Sequence, residues 1–265
     1  MGGMCSQRSS GVDKRSNFFL DDDDKYKEGK IGKIKEIAQK TGLPYIHNLQ
    51  NYIDVSDNEI TRFDSKVLVY ELFQPKENKY WKNERELASL WLKFPTLHHN
   101  LSSIAVKRDL VLSNDYVLSK MRSSIDWAIT ALSYNGGIHV PERLTLYRVG
   151  SGATSVKGGG KGELERLIRA YERELESKKT FLKYASITPD LEELLKFDIY
   201  LHNAYLNFLR GKEFEVDLQE YMKFSRLRNR ALVPFELLIQ VSLRLSKRLY
   251  RFESWLTRKF LAAFV

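Results

Sequence analysis

Apolar residues recur at three- and four-residue intervals over much of this chain, and this constrains it to a largely helical fold. The interval is clearest at 114–132, where Leu118, Met121, Ile125, Ile129 and Leu132 fall on one face. The same pattern predicts helices over 32–41, ended by Gly42, and over 83–94, 163–177 and 189–209. The sequence therefore predicts an α+β fold that is mostly helical.

Only a few segments are typical of strands. Residues 66–73 (KVLVYELF) form an apolar run that ends before Pro75, and residues 143–149 (RLTLYRV) alternate as a strand does. Residues 180–187 are predicted to be a second strand of this region, and residues 213–216 a short one. These strands indicate a small mixed β core.

Composition divides the chain into a leader and one domain. Residues 1–30 are rich in Ser and charge and are interpreted as a disordered leader, in which four aspartates at 21–24 form a solvated spacer. Residues 31–265 are predicted to form a single α+β domain. It comprises a helical part at 31–135, a candidate catalytic core at 136–220 and a basic helix at 221–265.

The positive charge is concentrated at one end. The formal net charge is +9, and residues 221–265 contain ten basic and two acidic residues. The predicted last helix has an apolar stripe, and its other side carries Arg244, Lys247, Arg248, Arg251, Arg258 and Lys259. Such a helix can lie on a membrane, dock in the groove of a partner or contact nucleic acid. We expect an anionic membrane surface or a protein partner, and no nucleic acid, because a lipid anchor would hold the chain away from it.

Cysteine content and hydropathy bear on the compartment. Cys5 is the only cysteine, so no internal disulfide can form, which favours a reducing compartment. No run of eighteen apolar residues and no secretory signal is found in the sequence. The chain is therefore expected to work in a cytosol.

The first six residues, Met-Gly-Gly-Met-Cys-Ser, match the N-myristoylation pattern, with Gly2 as the acceptor and Ser6 completing the motif. One myristoyl chain binds membranes only marginally, with an association constant on the order of 10⁴ M⁻¹. Cys5 could supply a second signal by palmitoylation, and the basic residues that follow could add attraction to anionic lipid. Unless the match is a chance one, the chain is expected at the cytoplasmic face of a membrane.

The sequence argues against several common nucleotide-binding and metal sites. The glycine-rich segment 150–162 lacks the fixed positions of a Walker phosphate loop, and the chain has no catalytic motifs of a protein kinase. His98 and His99 are adjacent and diverge, while His47, His139 and His202 are isolated, so no metal site is predicted.

One ordered set of short motifs is left after these exclusions. A helix is followed by His-Val-Pro-Glu at 139–142 and a strand ending Tyr147-Arg148; Ser186-Ile-Thr188 and Glu213-Phe-Glu215 come later. This order, over residues 124–215, resembles the arginine, serine, glutamate layout of mono-ADP-ribosyltransferases. Val149 stands where that family usually has Gly, and Ser-Ile-Thr replaces Ser-Thr-Ser.

The resemblance implies NAD as cofactor and a role for each residue. Arg148 would hold a phosphate of NAD, and Ser186 and Thr188 would shape the nicotinamide pocket. Glu215 would stabilise positive charge as the ribose bond breaks, and Glu213 would position or deprotonate the acceptor. The structural alternative makes Arg148 a surface strand residue, Ser186 and Thr188 a helix cap before Pro189, and Glu213 and Glu215 exposed residues of a strand edge.

Two hypotheses remain open from the sequence. In the first, the chain is a lipid-anchored mono-ADP-ribosyltransferase, an effector that modifies a membrane-proximal protein of a host cell. In the second, it is a non-enzymatic membrane-associated scaffold or a viral structural protein.

Overall fold

The fold is a mixed seven-stranded sheet packed between one helix and a layer of helices. The computed structural model describes residues 16–61, 67–149 and 161–212, without the side chains of residues 68, 69, 161–164 and 208. The strands are β1 (Ser16–Phe18), β2 (Lys25–Tyr26), β3 (Tyr45–Ile53), β4 (Glu59–Ile60), β5 (Lys79–Trp81), β6 (Ile104–Lys107) and β7 (Gly137–Arg148). The helices are α1 (Lys30–Thr41), α2 (Leu68–Phe73), α3 (Glu84–Lys93), α4 (Arg108–Leu112), α5 (Asp115–Lys120), α6 (Ile125–Leu132), α7 (Lys161–Tyr184) and α8 (Pro189–Leu209).

The centre of the sheet is a parallel pair, β3 and β7. The strand order is β1-β6-β3-β7-β2, with β4 on β3 and β5 on β7, and every pairing except β3–β7 is antiparallel. The β3–β7 register shifts near Pro141, since Asn48 pairs with Val140 while Leu49 pairs with Arg143. Proline has no N–H to give to a ladder, which suits it to such an irregularity.

One face of the sheet is covered by α1. The helix begins after Gly29 and ends at Gly42, both with left-handed backbone conformations. Its residue Ile34 is buried against Ile46 of β3 and Ile138 of β7. The α1 helix is the predicted helix 32–41, and that prediction is confirmed.

The other face carries the aromatic core. Trp127 of α6 makes edge contacts with Trp91 of α3 and Phe181 of α7, at ring-centroid distances of 6.0 and 5.2 Å. Leu191 of α8 is fully buried in the same cluster. The helical periodicity predicted these elements: α3 confirms the helix at 83–94 and α8 the helix at 189–209.

The helix predicted over 114–132 is broken in two. Residues 121–124 separate α5 from α6, and Ser124 has φ 57°. The Ser177 hydroxyl on α7 accepts hydrogen bonds from the backbone N–H groups of Arg122 and Ser123, each at 3.1 Å. A tertiary contact therefore satisfies the backbone where the helix is interrupted, so that the single-helix prediction is wrong there.

Two strand predictions are also wrong. Residues 68–73 form helix α2, in which Glu71 turns toward Arg143 and Leu72 toward solvent. Residues 180–184 continue α7, and residues 185–188 connect it to α8. Short apolar runs are ambiguous between strand and buried helix, and packing decided both cases. The strand at 143–149 is confirmed as the second half of the longer β7.

The leader ends earlier than predicted. Ser16 pairs with Lys107 and Lys25 with Leu146, so that β1 and β2 belong to the sheet and the prediction of disorder is wrong from residue 16 onward. The sheet also crosses the predicted boundary at 135/136, because β3 and β6 precede it while β7 follows it. The α+β class is confirmed; the short strand predicted at 213–216 and the C-terminal helix lie outside the described residues.

Candidate functional site

Arg148, the predicted phosphate ligand, is bound by its own chain. Its Nε donates to the Asp23 carbonyl at 2.8 Å and its Nη1 to the Asp54 carbonyl at 2.7 Å, while Nη2 forms an ion pair with Asp57 at 2.6 Å. The side chain is 12% exposed. Each guanidinium nitrogen therefore already has an oxygen partner, and a phosphate would have to displace them.

Ser186 and Thr188 lie in the connection between α7 and α8. Ser186 is exposed, and the carbonyl of Thr188 accepts the Glu192 N–H at 2.9 Å as α8 begins. The hydroxyl of Thr188 is buried without a hydrogen-bond partner, so it does not cap the helix. The serine thus lies between two helices, whereas the resembled family has it on a strand.

The other predicted site residues cannot be placed beside these. Glu213 and Glu215, the lipidation residues Gly2 and Cys5, and the basic residues of the last helix all lie outside the described residues: Arg244, Lys247, Arg248, Arg251, Arg258 and Lys259.

The structure instead gathers charged groups beside the backbone of Arg148, in what we call the lysine–aspartate cluster: Asp21, Asp24, Lys30, Ser102 and Thr145. Asp24 accepts the Arg148 N–H at 2.9 Å, and the Ser102 hydroxyl accepts the Asp21 N–H at 2.9 Å. Asp21 is an exposed residue that joins the cluster through its backbone N–H, whereas Asp24 is buried, and burial raises the pKa of the Asp24 carboxyl group. Asp24 therefore holds a proton more tightly than an exposed aspartate does.

Lys30 is the cation of this cluster and the first residue of α1. It is 1% exposed, and its ammonium group donates to the Ser102 carbonyl and to the Thr145 hydroxyl, the latter at 2.7 Å. The same group lies 4.0 Å from the centre of the Tyr26 ring. Burial lowers the pKa of Lys30 to about 7, although the nearby Asp24 opposes the shift. A lysine with a lowered pKa beside a carboxyl group with a raised pKa is typical of proton-transfer sites and also of structural charge networks.

Among the described residues, three buried polar atoms in and around the cluster have no hydrogen-bond partner within 3.5 Å: Asp24 Oδ2, Asn48 Oδ1 and Asn100 Nδ2. Asn48 reaches the cluster through its amide nitrogen, which donates to the Thr145 hydroxyl at 3.0 Å. Asn100 adopts φ 73° and its oxygen accepts the Ser102 N–H, and its side chain lies near enough to Asp24 to act against the rise in the pKa of that carboxyl group. Unpaired buried groups cost roughly 1–3 kcal/mol each, and a bound water or small polar ligand would remove that cost.

A histidine pair lies in the centre of the sheet. His47 and His139 are paired in the β3–β7 register, and their Nδ1 atoms are 2.8 Å apart. Each Nε2 lies 3.0 Å from a carbonyl oxygen, of His99 and Pro75 respectively, and must therefore carry a hydrogen. The Nδ1 contact needs one further proton, so the two rings titrate as one unit, although burial lowers the pKa of both.

The described residues hold no cluster that fits a metal ion, and a cavity between α3 and α8 is small. Within them, no three His, Cys, Asp or Glu side chains are grouped to hold a metal ion. A cavity between α3 and α8, lined by Trp91, Trp127 and Asp198, has a volume of about 50 Å³. Ligand pockets usually measure roughly 300–1,000 Å³, so this cavity is too small for NAD.

Sequence reasoning missed both polar groups of the sheet. Lys30 and Asp24 fell within the segment interpreted as a leader, and His47 fell within β3, which was not predicted. The one available signal was Thr145, which alternates with Leu144 and Leu146 in a strand pattern and is buried. Its partners come from positions far away in the sequence, which a periodicity cannot reveal.

Comparison with protein-family models, with curated proteins and with solved structures finds no match to this chain. No helix in the described ranges combines the length and the apolar character needed to cross a bilayer.

Proposed function

We propose that the chain is a peripheral membrane protein, held at the cytoplasmic face of a membrane by fatty acid on Gly2 and Cys5, where it binds a membrane-proximal protein. The observation that carries the proposal is the hexapeptide Met-Gly-Gly-Met-Cys-Ser at residues 1–6, which joins a myristoylation motif to the only cysteine. Two acyl chains suffice for stable anchoring, whereas one does not.

The attachment of residues 16–30 to the fold supports this proposal. These residues are held by the pairing of β1 with β6 and of β2 with β7, by the contact of Asp24 with Arg148 and by buried Lys30. These contacts join the segment to the two central strands as well as to a sheet edge. An acyl anchor on such a segment would hold the whole sheet and not a fraying terminus.

The distance from anchor to fold is short. Ser16 lies fourteen positions after Gly2, which corresponds to at most about 50 Å of fully extended chain, and eleven positions after Cys5, which corresponds to at most about 40 Å. A tether of this length keeps the folded part within one molecular diameter or so of the bilayer. Partners that lie on or near the membrane surface are therefore favoured by effective concentration.

The proposal is tested by metabolic labelling with an alkyne myristate analogue, followed by fractionation of the cells. Wild type should incorporate the label and sediment with membranes, and Gly2→Ala should lose both. Cys5→Ser should keep the label and shift toward the soluble fraction, because one acyl chain remains. Gly3→Ala is the matched control and should behave as wild type. Equal labelling of Gly2→Ala and wild type would refute the proposal.

Mono-ADP-ribosyltransferase activity is a second proposal, favoured by the position of Arg148 at the end of a central strand and beside groups of shifted pKa. It requires the guanidinium to exchange Asp23, Asp54 and Asp57 for a phosphate of NAD. It also requires Glu215 to come within reach of Ser186 and Arg148.

Calorimetry with NAD, and transfer of the labelled ADP-ribosyl group of NAD to lysate proteins with release of nicotinamide, test this second proposal. Binding and transfer that disappear in Glu215→Ala support it, with Glu176→Ala as a matched control on an α7 residue outside the proposed set. If wild type neither binds NAD nor transfers label, the enzyme hypothesis fails and the scaffold hypothesis stands.

A further inference from the structure

Exposed aromatic and aliphatic side chains gather on one part of the helical layer. Leu112 at the end of α4, Tyr116 of α5 and Tyr184 at the end of α7 are 57, 61 and 39% exposed. The rings of Tyr116 and Tyr184 meet edge to face at 5.7 Å. We call these three residues the tyrosine face. The other large apolar side chains exposed in the described part of the chain lie on separate elements: Leu20, Val55, Leu72 and Tyr80.

Basic groups accompany these rings. The Lys120 ammonium lies 5.1 Å from the Tyr116 ring centre, and the Lys183 ammonium lies 5.0 Å from that of Tyr184. Arg108 on α4 is a third exposed cation. Asp109 on α4 and Asp115 on α5 are exposed acids that offset part of this positive charge. Tyrosine rings flanked by lysine are typical of residues at the boundary between lipid head groups and acyl chains.

The acylated leader joins the fold beside this face. Ser16 pairs with Lys107, the last residue of β6, and α4 begins at the next residue, Arg108. Because β1 and β6 are antiparallel, Ser16, the first residue of β1, lies at the end of β6 that leads into α4. Lys14 and Arg15 immediately precede Ser16 in the sequence.

We propose that the tyrosine face, with Lys120, Lys183 and Arg108, lies on the anionic surface of the membrane to which the leader is tethered. The inference rests on the proposed membrane function and adds an orientation to it. Leu112, Tyr116 and Tyr184 enter the interfacial region, and the three cations contact anionic head groups. The opposite face of the sheet, covered by α1, is thereby turned toward the cytosol.

The test uses full-length protein that has been myristoylated by a co-expressed transferase, with vesicles of phosphatidylcholine alone or with phosphatidylserine. Leu112→Asp/Tyr116→Asp should weaken binding to the anionic vesicles at least about tenfold, since two apolar groups are lost from the interface and two negative charges are added. Leu72→Asp/Tyr80→Asp is the matched control, with similarly exposed residues on α2 and β5, and should bind within twofold of wild type.

A second measurement reports contact directly and does not depend on affinity. Cys5→Ser/Tyr116→Cys and Cys5→Ser/Tyr80→Cys are labelled with an environment-sensitive fluorophore. Anionic vesicles should shift the emission of the label at position 116 to the blue and leave the label at position 80 unchanged.

The outcomes separate the two proposals. Vesicle binding that is equal in the two double variants, with no shift at position 116, overturns the orientation and leaves the acyl anchor in place. Anionic vesicle binding that is absent in myristoylated wild type overturns the orientation, because one acyl chain and the proposed face together should bind, whereas the acyl anchor is judged separately by the labelling and fractionation of Gly2→Ala. A change of oligomeric state in Leu112→Asp/Tyr116→Asp, measured by sedimentation, without a change in vesicle binding overturns the inference in favour of a contact between two copies.

Discussion

The two sides of this molecule are built from different chemistry. Around the central strands, several polar side chains are buried beside apolar ones such as Ile46: Lys30, His47, Asn48 and Gln50 are all at most 1% exposed. In the helical layer the core consists of Trp91, Trp127, Phe181 and their apolar neighbours. An apolar core loses stability in proportion to the volume removed, whereas a polar network also leaves the partners of a lost group unsatisfied. In the helical layer, the cost of a substitution should therefore depend on the side-chain volume that is lost. Around the central strands, it should depend on the hydrogen-bond and ion-pair partners that are left unsatisfied.

The largest effect is expected in the aromatic core. Trp127→Ala removes a ring that is 1% exposed and contacts Trp91 and Phe181. It should lower the free energy of unfolding by about 3–5 kcal/mol, measured by urea denaturation. Trp127→Phe keeps an aromatic ring and removes an indole N–H that has no partner, so it should cost less than about 1.5 kcal/mol. Equal losses in the two variants would show that volume does not govern this region.

The next effect is expected where the sheet contains an ion pair. Arg143 donates to both carboxylate oxygens of Glu71, at 2.8 and 2.7 Å, and Glu71 is only 8% exposed. Arg143→Met should cost about 2–3 kcal/mol, because Glu71 keeps only its ion pair with Lys76.

Arg85 supplies the control for Arg143 in the same denaturation experiment. Its ion pair with Asp190 joins α3 to α8, but the Arg85 side chain is 83% exposed. Arg85→Met should change the free energy of unfolding by less than about 0.5 kcal/mol. If Arg85→Met costs as much as Arg143→Met, burial does not distinguish the two pairs.

An effect that is smaller per pH unit, and is visible as a pH dependence, is expected at Lys30. The folded pKa of about 7 lies below the ordinary value of 10.5, so the unfolded chain binds more protons between these two values. The contribution of Lys30 to stability should therefore rise with pH from about 7 toward 10.5 and stay constant below 7, with a slope of at most about 1.4 kcal/mol per pH unit. Lys30→Met should flatten the stability profile measured by urea denaturation between pH 7 and 9.5. A profile of unchanged slope would contradict the low pKa.

The smallest effect concerns only the positions of protons. His47 and His139 should both carry hydrogen on Nε2, because each of these atoms faces a carbonyl oxygen. Long-range nitrogen-15 NMR spectra of the imidazole rings report this directly. A ring protonated on Nδ1 alone, with a bare Nε2, would mean that its contact with the carbonyl of His99 or Pro75 is not formed.

The same contrast explains what the sequence could predict. The helices α1, α3 and α8 each bury one apolar side, so their apolar residues recur with a period of 3.6 that can be recognised in the sequence. Strand β3 (YIHNLQNYI) was missed, because a strand buried on both faces usually reads as a continuous apolar run. In β3 the interruptions are His47, Asn48 and Gln50, whose partners are supplied by distant segments such as Ser103 and Thr145.

The sequence predicted less of the site than of the helices. The strand ending in Arg148 was recognised from its alternation, but not the carbonyl and carboxylate oxygens of Asp23, Asp54 and Asp57 that hold its guanidinium group. These come from a segment interpreted as a leader and from the connection between β3 and β4. A pattern along one strand gives the position of a side chain and not the identity of its neighbours.

The parallel pairing of β3 with β7 has a consequence for the order of events during synthesis. His47 and His139 are 92 positions apart, and Lys30 and Thr145 are 115 apart, so neither partner set exists until β7 has left the ribosome. The proposed acylation of Gly2 requires only the first residues. On that proposal the lipid can be added while β3 still lacks its central neighbour, at a stage when unpaired strands are prone to aggregate.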